Sequence, residues 1–329
     1  MPSRPPASVF FPVQPKRLDS IAAFAQLVHQ GHAHRLWAGQ SMEALEIHQV
    51  LAALTVRFPG IPLGTGVAIT LLRHPYEAAL QARSLARLSG MPYVAGYGPS
   101  YPGAQRALRS TPYPSSCAAA EEYIALTRAL LNGEKVRHDG DCFTLHANLE
   151  PLETPAVELG LGVLRPGMAR TAGRVAEVAI TLMTPPHYVR DHIVPALEAG
   201  AREAGRSRPR VATIVHVAVA LPGRDLERVT YAGAYPNLIL PHYTDMFRRA
   251  GISVDGGDPA DGAAKLLRSG GIVVGTPAEI AESLREYRAC GVDEVILSPA
   301  GVLVTEGVEA ALADLREILA ADIRSTLQV

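Results

Sequence analysis

Eight short apolar runs, separated by stretches of helical periodicity, constrain this chain more than any other feature. They are Ala7–Phe11, His34–Ala38, Ile61–Ile69, Tyr93–Ala95, Val157–Val163, Val178–Leu182, Val211–Ala220 and Glu294–Ser298. Most are continuously hydrophobic rather than alternating, as parallel strands covered on both faces are. Between them apolar residues recur at helical spacing, for example Ile21, Phe24, Ala25 and Val28. Eight such units in 329 residues predict an α/β fold, a single (β/α)8 TIM barrel over 1–329, with functional groups on the loops that follow the strands. A doubly wound sheet is the competing arrangement. It lacks its signal, because no Gly-x-Gly-x-x-Gly follows the first strand with an acid about 20 residues later. Segment 223–271 breaks the rhythm and reads as an insertion between strands seven and eight, lying over the barrel mouth.

The third run, Ile61-Pro62-Leu63-Gly64-Thr65-Gly66-Val67-Ala68-Ile69, carries two glycines where a strand is weakened by them. Glycine there marks a bulge, a bend, or a flat ligand lying against the backbone; an ordinary barrel kink is the plain alternative. Leu72-Arg73-His74-Pro75 then turns the chain into a helix, with Pro75 suited to the first turn. After the second strand, Ser41 reads as the start of the next helix. The fourth strand runs into Gly96-Tyr97-Gly98-Pro99-Ser100-Tyr101-Pro102-Gly103, and the chain from there to Tyr113 reads as irregular. Asp139-Gly140 signals a hairpin turn. Thr276-Pro277-Ala278-Glu279 reads as a capped helix start.

Composition excludes several function classes. Lys plus Arg number 31 against 32 Asp plus Glu, a net charge of −1, so nothing electrostatic favours nucleic acid. No run reaches the roughly 18 apolar residues of a membrane span. Met1–Pro6 does not read as a signal peptide. Three scattered cysteines, Cys117, Cys142 and Cys290, suit neither a disulfide framework nor zinc. A cytoplasmic protein is expected.

In a barrel, the residues just after each strand form the active face. Here that face is poor in carboxylates, has no metal-ligand cluster, and contains no Gly-x-Ser-x-Gly elbow. Many glycines with few acids or nucleophiles suit chemistry carried by a bound cofactor.

Leu63-Gly64-Thr65-Gly66-Val67, Arg73-His74-Pro75, Ser89-Gly90, Gly96-Tyr97-Gly98-Pro99 and Gly275-Thr276-Pro277-Ala278-Glu279-Ile280 resemble the bacterial-luciferase-like superfamily of flavin and deazaflavin oxidoreductases, in order and over nearly the whole chain. The Gly98-Pro99 pair and Arg73-His74-Pro75 look more like the branch that uses coenzyme F420 than the branch that uses FMN and oxygen. The resemblance implies a non-proline cis peptide at Gly66–Val67 behind the cofactor ring. It also implies a phosphate-proximal loop Val163-Leu164-Arg165-Pro166-Gly167-Met168, with Arg165 either a phosphate ligand or a solvated loop arginine. Ring contacts are expected from Trp37, Gly39, Gln40, Ser41, Thr65, Gly66, Val67, Tyr97, Gly98 and Pro99. Trp37 has core packing as its alternative.

This chain also departs from the family's pattern. Gln40-Ser41 stands where many relatives have Asp-His, and Tyr101 stands where sugar-phosphate-oxidising relatives have glutamate. Ser89-Gly90-Met91-Pro92 lacks the arginine of the usual Ser-Gly-Gly-Arg. The catalytic candidates are Tyr101, His74 and Gln40, with helix capping the plainer role for His74. Arg73–Ala79, Leu161–Met168 and Pro241–Met246 look like lanthipeptide-tailoring reductases, which convert dehydroalanine or dehydrobutyrine residues of a precursor peptide to D-amino acids. The expected protein is therefore a homodimeric reductase using reduced F420, with a modified peptide or a small molecule as substrate. An FMN-dependent monooxygenase is the alternative, and a barrel that has lost its site and serves as a scaffold is a third reading.

Overall fold

The structure, a computed structural model, describes residues 6–42, 44–109 and 111–327, so most of the Met1–Pro6 segment lies outside the described residues. Eight parallel strands close on themselves: β1 (Ser8–Phe11), β2 (Leu36–Ala38), β3 (Leu63–Thr65, resuming as Ala68–Ile69), β4 (Tyr93–Gly98), β5 (Val157–Gly162), β6 (Val178–Leu182), β7 (Arg210–Val219) and β8 (Glu294–Ser298). The ring is completed where β8 pairs with β1, Ser8 opposite Ile296. Helices alternate with the strands and cover the outside, so the fold is a TIM barrel. Among the described residues no helix is long and apolar enough to cross a membrane.

Two local expectations are corrected, and two segments are filled in. The helix after β2 starts at Ile47, not at Ser41, because the Glu46 carboxylate accepts from Gln49 N at 2.9 Å and caps it. The stretch after β4 is not irregular throughout, since Pro102–Leu108 is helical with Pro102 in its first turn. A further short parallel strand, Val273–Gly275, pairs with the end of β7. The segment read as an insertion is three helices, Leu226–Leu238, Pro241–Arg249 and Pro259–Arg268.

The barrel interior is layered by the two-residue period of its strands. At the N-terminal end stands a charged layer built on Glu294. Its carboxylate accepts from Ser8 Oγ (2.6 Å) and Trp37 Nε1 (2.8 Å) and faces Arg35 and Arg210, each at 3.4 Å. Arg210 also binds Glu158 at 2.7 Å. Burial pushes the Glu294 pKa up, but the Arg35 guanidinium and the two hydrogen bonds outweigh burial and hold it below the usual carboxylate range. Above this layer Phe10, Trp37, Val94, Val178, Ala212 and Ile296 fill the middle.

Strand β3 is kinked. Leu63 and Gly64 pair with Tyr93 and Val94, an offset of 30 residues, while Ala68 and Ile69 pair with Tyr97 and Gly98, an offset of 29. One extra residue is therefore accommodated at Thr65–Val67, a β-bulge, and the Gly66–Val67 peptide within it is cis. The Thr65 hydroxyl patches the interrupted ladder. It accepts from Gly96 N at 2.9 Å and donates to Gly96 O at 3.1 Å, and Tyr93 OH approaches it at 3.3 Å.

Two stability predictions follow from these contacts. Glu294→Gln keeps an oxygen for Ser8 and Trp37 but leaves Arg35 buried without its counter-charge; a loss of about 3 kcal/mol is expected in urea unfolding followed by the fluorescence of Trp37. Because the folded carboxyl lies below its unfolded value, the wild-type advantage is full above that value and fades as pH falls through the folded pKa. Thr65→Val strips both partners from Gly96 and should cost about 1–3 kcal/mol in the same assay.

Candidate active site

Three neighbouring strands each carry Gly-x-Gly on the inward face: Gly64 and Gly66 on β3, Gly96 and Gly98 on β4, Gly160 and Gly162 on β5. Their intervening residues, Thr65, Tyr97 and Leu161, turn outward and are buried beneath the helices. The lower three glycines admit bulk from strands on either side of them. A Cβ on Gly64 would stand 2.8 Å from the Trp37 ring, and one on Gly96 or Gly160 would stand 2.3 or 2.8 Å from Ile180 Cδ1. The upper three, Gly66, Gly98 and Gly162, border a cavity of about 600 Å³. The bulge turns Val67 inward as well, 3.0 Å from a Cβ on Gly98. Ile180 and Ile214 form part of the floor, and the wall of Gly66, Gly98 and Gly162, with Val67 against it, leaves a cradle for a flat group.

Of the residues singled out in the sequence, Gly66, Val67, Gly98, Pro99, Tyr101 and the loop Val163–Met168 line this cavity. Tyr97 does not, and its expected pocket contact is corrected. Alternation with Gly96 and Gly98 turns it outward, where its hydroxyl donates to Ala78 O at 3.2 Å and its ring meets Tyr123. Trp37 points inward but lies fully buried one layer down, tied to Glu294, so the core-packing reading applies. Thr65 is the ladder patch described above.

Gly39, Gln40 and Ser41 lie behind the kink rather than in the cavity lining. The Gln40 backbone N–H donates to Val67 O at 3.0 Å, while its side chain accepts from Ile47 N at 2.8 Å and donates to Ser41 O. This Gln therefore shapes the chain's turn into the next helix. His74 is a helix cap: Nδ1 accepts from Tyr76 N at 3.2 Å and Nε2 lies 3.1 Å from Thr144 O. Its place outside the cavity lining corrects the catalytic expectation.

Several lining residues were not among the expected site residues, although His242 and Tyr243 fall within the resemblance stretch Pro241–Met246. His242, Tyr243 and Arg249 arrive from the insertion, on the helix Pro241–Arg249. Ser116 and Cys117 open the helix Ser116–Leu131. The signal for the cradle itself was present, in the threefold Gly-x-Gly.

Among the described residues the lining contains no carboxylate. Its cations are Arg165 and Arg249, both held by Asp245, at 3.4 and 3.0 Å. Hydrogen bonding and charge from Arg249, then from Arg165, keep Asp245 below its usual pKa. The helix Pro166–Val175 begins at the cavity, its first intrahelical bond running from Ala169 N to Arg165 O at 3.1 Å. That leaves the N–H groups of Gly167 and Met168 free of helical partners, on the positive end of the helix dipole. Such an end beside an arginine receives anionic oxygen readily. His242, stacked at 15° and 6.3 Å from Tyr101, is pushed down in pKa by burial and then by Arg165, so it is neutral at pH 7. A flat cradle adjoining an anion seat fits a ring cofactor that bears a phosphate.

Comparison with known proteins agrees with this geometry. The family model described as luciferase-like monooxygenase matches residues 5–294. An F420-dependent glucose-6-phosphate dehydrogenase of Microbacterium testaceum is 28% identical over 178 residues, 52% of each chain, so the match spans about half the length of that relative. The 5,10-methylenetetrahydromethanopterin reductase of Methanopyrus kandleri is 23% identical over 288 residues, 77% of this chain and 81% of that one. The solved structure of the coenzyme F420 dependent tetrahydromethanopterin reductase from that organism superposes with a TM-score of 0.75 at 18% identity, covering 98% and 99% of the two chains. A type II Baeyer–Villiger monooxygenase of Pseudomonas putida, solved in complex with FMN, superposes at 0.69 with 15% identity over 98% and 99%. The relatives thus include proteins named for F420 and one solved with FMN, and the chain belongs to the luciferase-like monooxygenase family.

Proposed function

We propose that this protein is a reductase dependent on reduced coenzyme F420, acting on electron-poor C=C bonds, with dehydroalanine or dehydrobutyrine residues of a modified peptide as its substrates. The carrying observation is the glycine-lined wall that ends at an anion-receiving helix terminus. The F420-dependent names among the relatives support that cofactor, and the absence of any lining carboxylate suits an uncharged, unsaturated group. When bound, the cofactor supplies a hydride equivalent to the β-carbon of the acceptor. Gly66, Gly98 and Gly162 leave room for its ring, and Val67 fixes how far the ring enters. Gly167 N–H, Met168 N–H and the Arg165 guanidinium hold the phosphate. Tyr101, at the mouth, holds the proton destined for the α-carbon. The FMN-dependent monooxygenase is the second reading, favoured by the FMN-bound structure of the same fold.

Titration of the purified protein with F420 and with FMN decides between them: tighter F420 binding is expected, and FMN binding with no F420 binding would reverse the assignment. Gly162→Leu should raise the F420 dissociation constant about ten- to hundred-fold by filling the cradle. Incubation with reduced F420 and a dehydrated peptide should add two hydrogens per reduced site by mass spectrometry. In that assay Tyr101→Phe should lower kcat about hundredfold with cofactor affinity unchanged. An unaltered kcat would assign the proton to water or another donor.

A further inference from the structure

Two arginines from separate parts of the chain meet at the cavity. Arg165 is the N-cap residue of the helix Pro166–Val175, on the loop after β5, and Arg249 ends the helix Pro241–Arg249 of the insertion. Both line the cavity, and both are about half exposed. One carboxylate oxygen, Asp245 Oδ2, accepts from Arg165 Nη1 at 3.4 Å and from Arg249 Nε at 3.0 Å. The two guanidinium groups therefore stand together at one place on the wall. Each has five N–H donors, and Asp245 takes one from each, which leaves donors for a ligand. Asp245 lies one helical turn before Arg249 and is not itself in the lining. The hydrogen bond from Arg249, joined by the charges of Arg249 and Arg165, holds its carboxyl below the usual range, so it is ionised at pH 7. Among the described residues the lining has no other Arg, Lys, Asp or Glu, and His242 is neutral there.

We propose that Arg249 and Asp245 complete the anion seat and set the charge it accepts, a singly negative phosphodiester rather than a doubly negative phosphomonoester. The proposal rests on the reading of this end of the cavity as the cofactor's phosphate seat, and deepens it. Two arginines and one carboxylate leave a net charge of +1, to which the helix end adds a partial positive charge. A monoanion is matched by that seat. A dianion brings a second charge that must shed its water without a counter-charge of its own, and it stands against Asp245. A phosphomonoester carries about −1.5 to −2 at pH 7, whereas a phosphodiester carries a single charge. F420 holds its phosphate as a diester and FMN as a monoester, so Asp245 works against FMN without touching either ring. It is a positioning residue, acting through the two arginines it joins.

The test is a binding titration at pH 8 and low salt with three probes that share one ring, the deazaflavin of F420 or, if the protein takes only flavin, that of FMN. They end the ribityl chain in a free alcohol, a methyl phosphodiester and a phosphomonoester, so no glutamate carboxylate enters the comparison. The native protein should bind the diester at least as tightly as the monoester. In Asp245→Asn the alcohol should bind unchanged, the diester about threefold tighter and the monoester about tenfold tighter, because the gain from one removed charge scales with the charge of the ligand. The order of the two esters then reverses, and added salt should shrink the gain. Asp245→Glu should keep the native order. Arg249→Gln should weaken both esters, the monoester more, and leave the alcohol alone. A native protein that prefers the monoester overturns the proposal. So does an Asp245→Asn gain shared equally by all three probes, or an Arg249→Gln protein that binds both esters unchanged. The cofactor reading fails separately. A protein that binds only the flavin series yet shows the graded gain keeps the charge selection and loses the F420 assignment, and one that binds the deazaflavin series without gradation does the opposite.

Discussion

The contact on which the rest of the structure depends is the packing of two large side chains, Trp37 and Ile180, against a wall of glycines. A closed eight-stranded barrel fills its interior with inward side chains from every strand. Here β3, β4 and β5 contribute none at Gly64, Gly96 and Gly160, and the indole from β2 and the Ile180 methyl from β6 occupy that space from the two flanking strands. The filling stops one layer higher. At Gly66 the Ile214 side chain closes in from the opposite strand, Val67, pushed inward by the bulge, covers Gly98 and Gly162, and the cavity begins there. The boundary between core and cavity is thus set by how far two side chains reach.

Trp37 is held at that height from below. Its indole N–H is bound to Glu294, a carboxylate kept charged in the interior by Arg35 and Ser8. A buried ion pair is weak evidence for stability, because desolvation opposes it, but it fixes geometry well. The charged layer at the N-terminal end gives the indole one orientation, and the indole in turn sets the level beneath the kink. Charge at one end of the barrel and emptiness at the other are linked through a single ring.

The strand count, the parallel character and the kink in the third strand were legible because each is written in local composition: continuous apolar runs, and glycine where a strand disfavours it. Facing was less legible. Glycines at 96 and 98 imply that Tyr97 turns outward, yet an aromatic beside glycines after a strand suggests a ring contact until the parity is followed. Gln40 and His74 look reactive in isolation; in the fold both are engaged by nearby backbone, Gln40 at Ile47 and His74 at Tyr76. His242 and Arg249 carry no periodic signal that relates them to β3, since only the folded insertion brings them to the mouth. The strand Val273–Gly275 is three residues long between a glycine-rich turn and a helix cap, too short to stand above its neighbours in the sequence.

The charge at the cavity limits what it can accept. The loop Val163–Met168 with Arg165 presents fixed positive character, balanced at the rim by Asp245, so an anion is favoured there and a cation is not. The floor of Ile180 and Ile214 is apolar and offers no group that would compete for that anion.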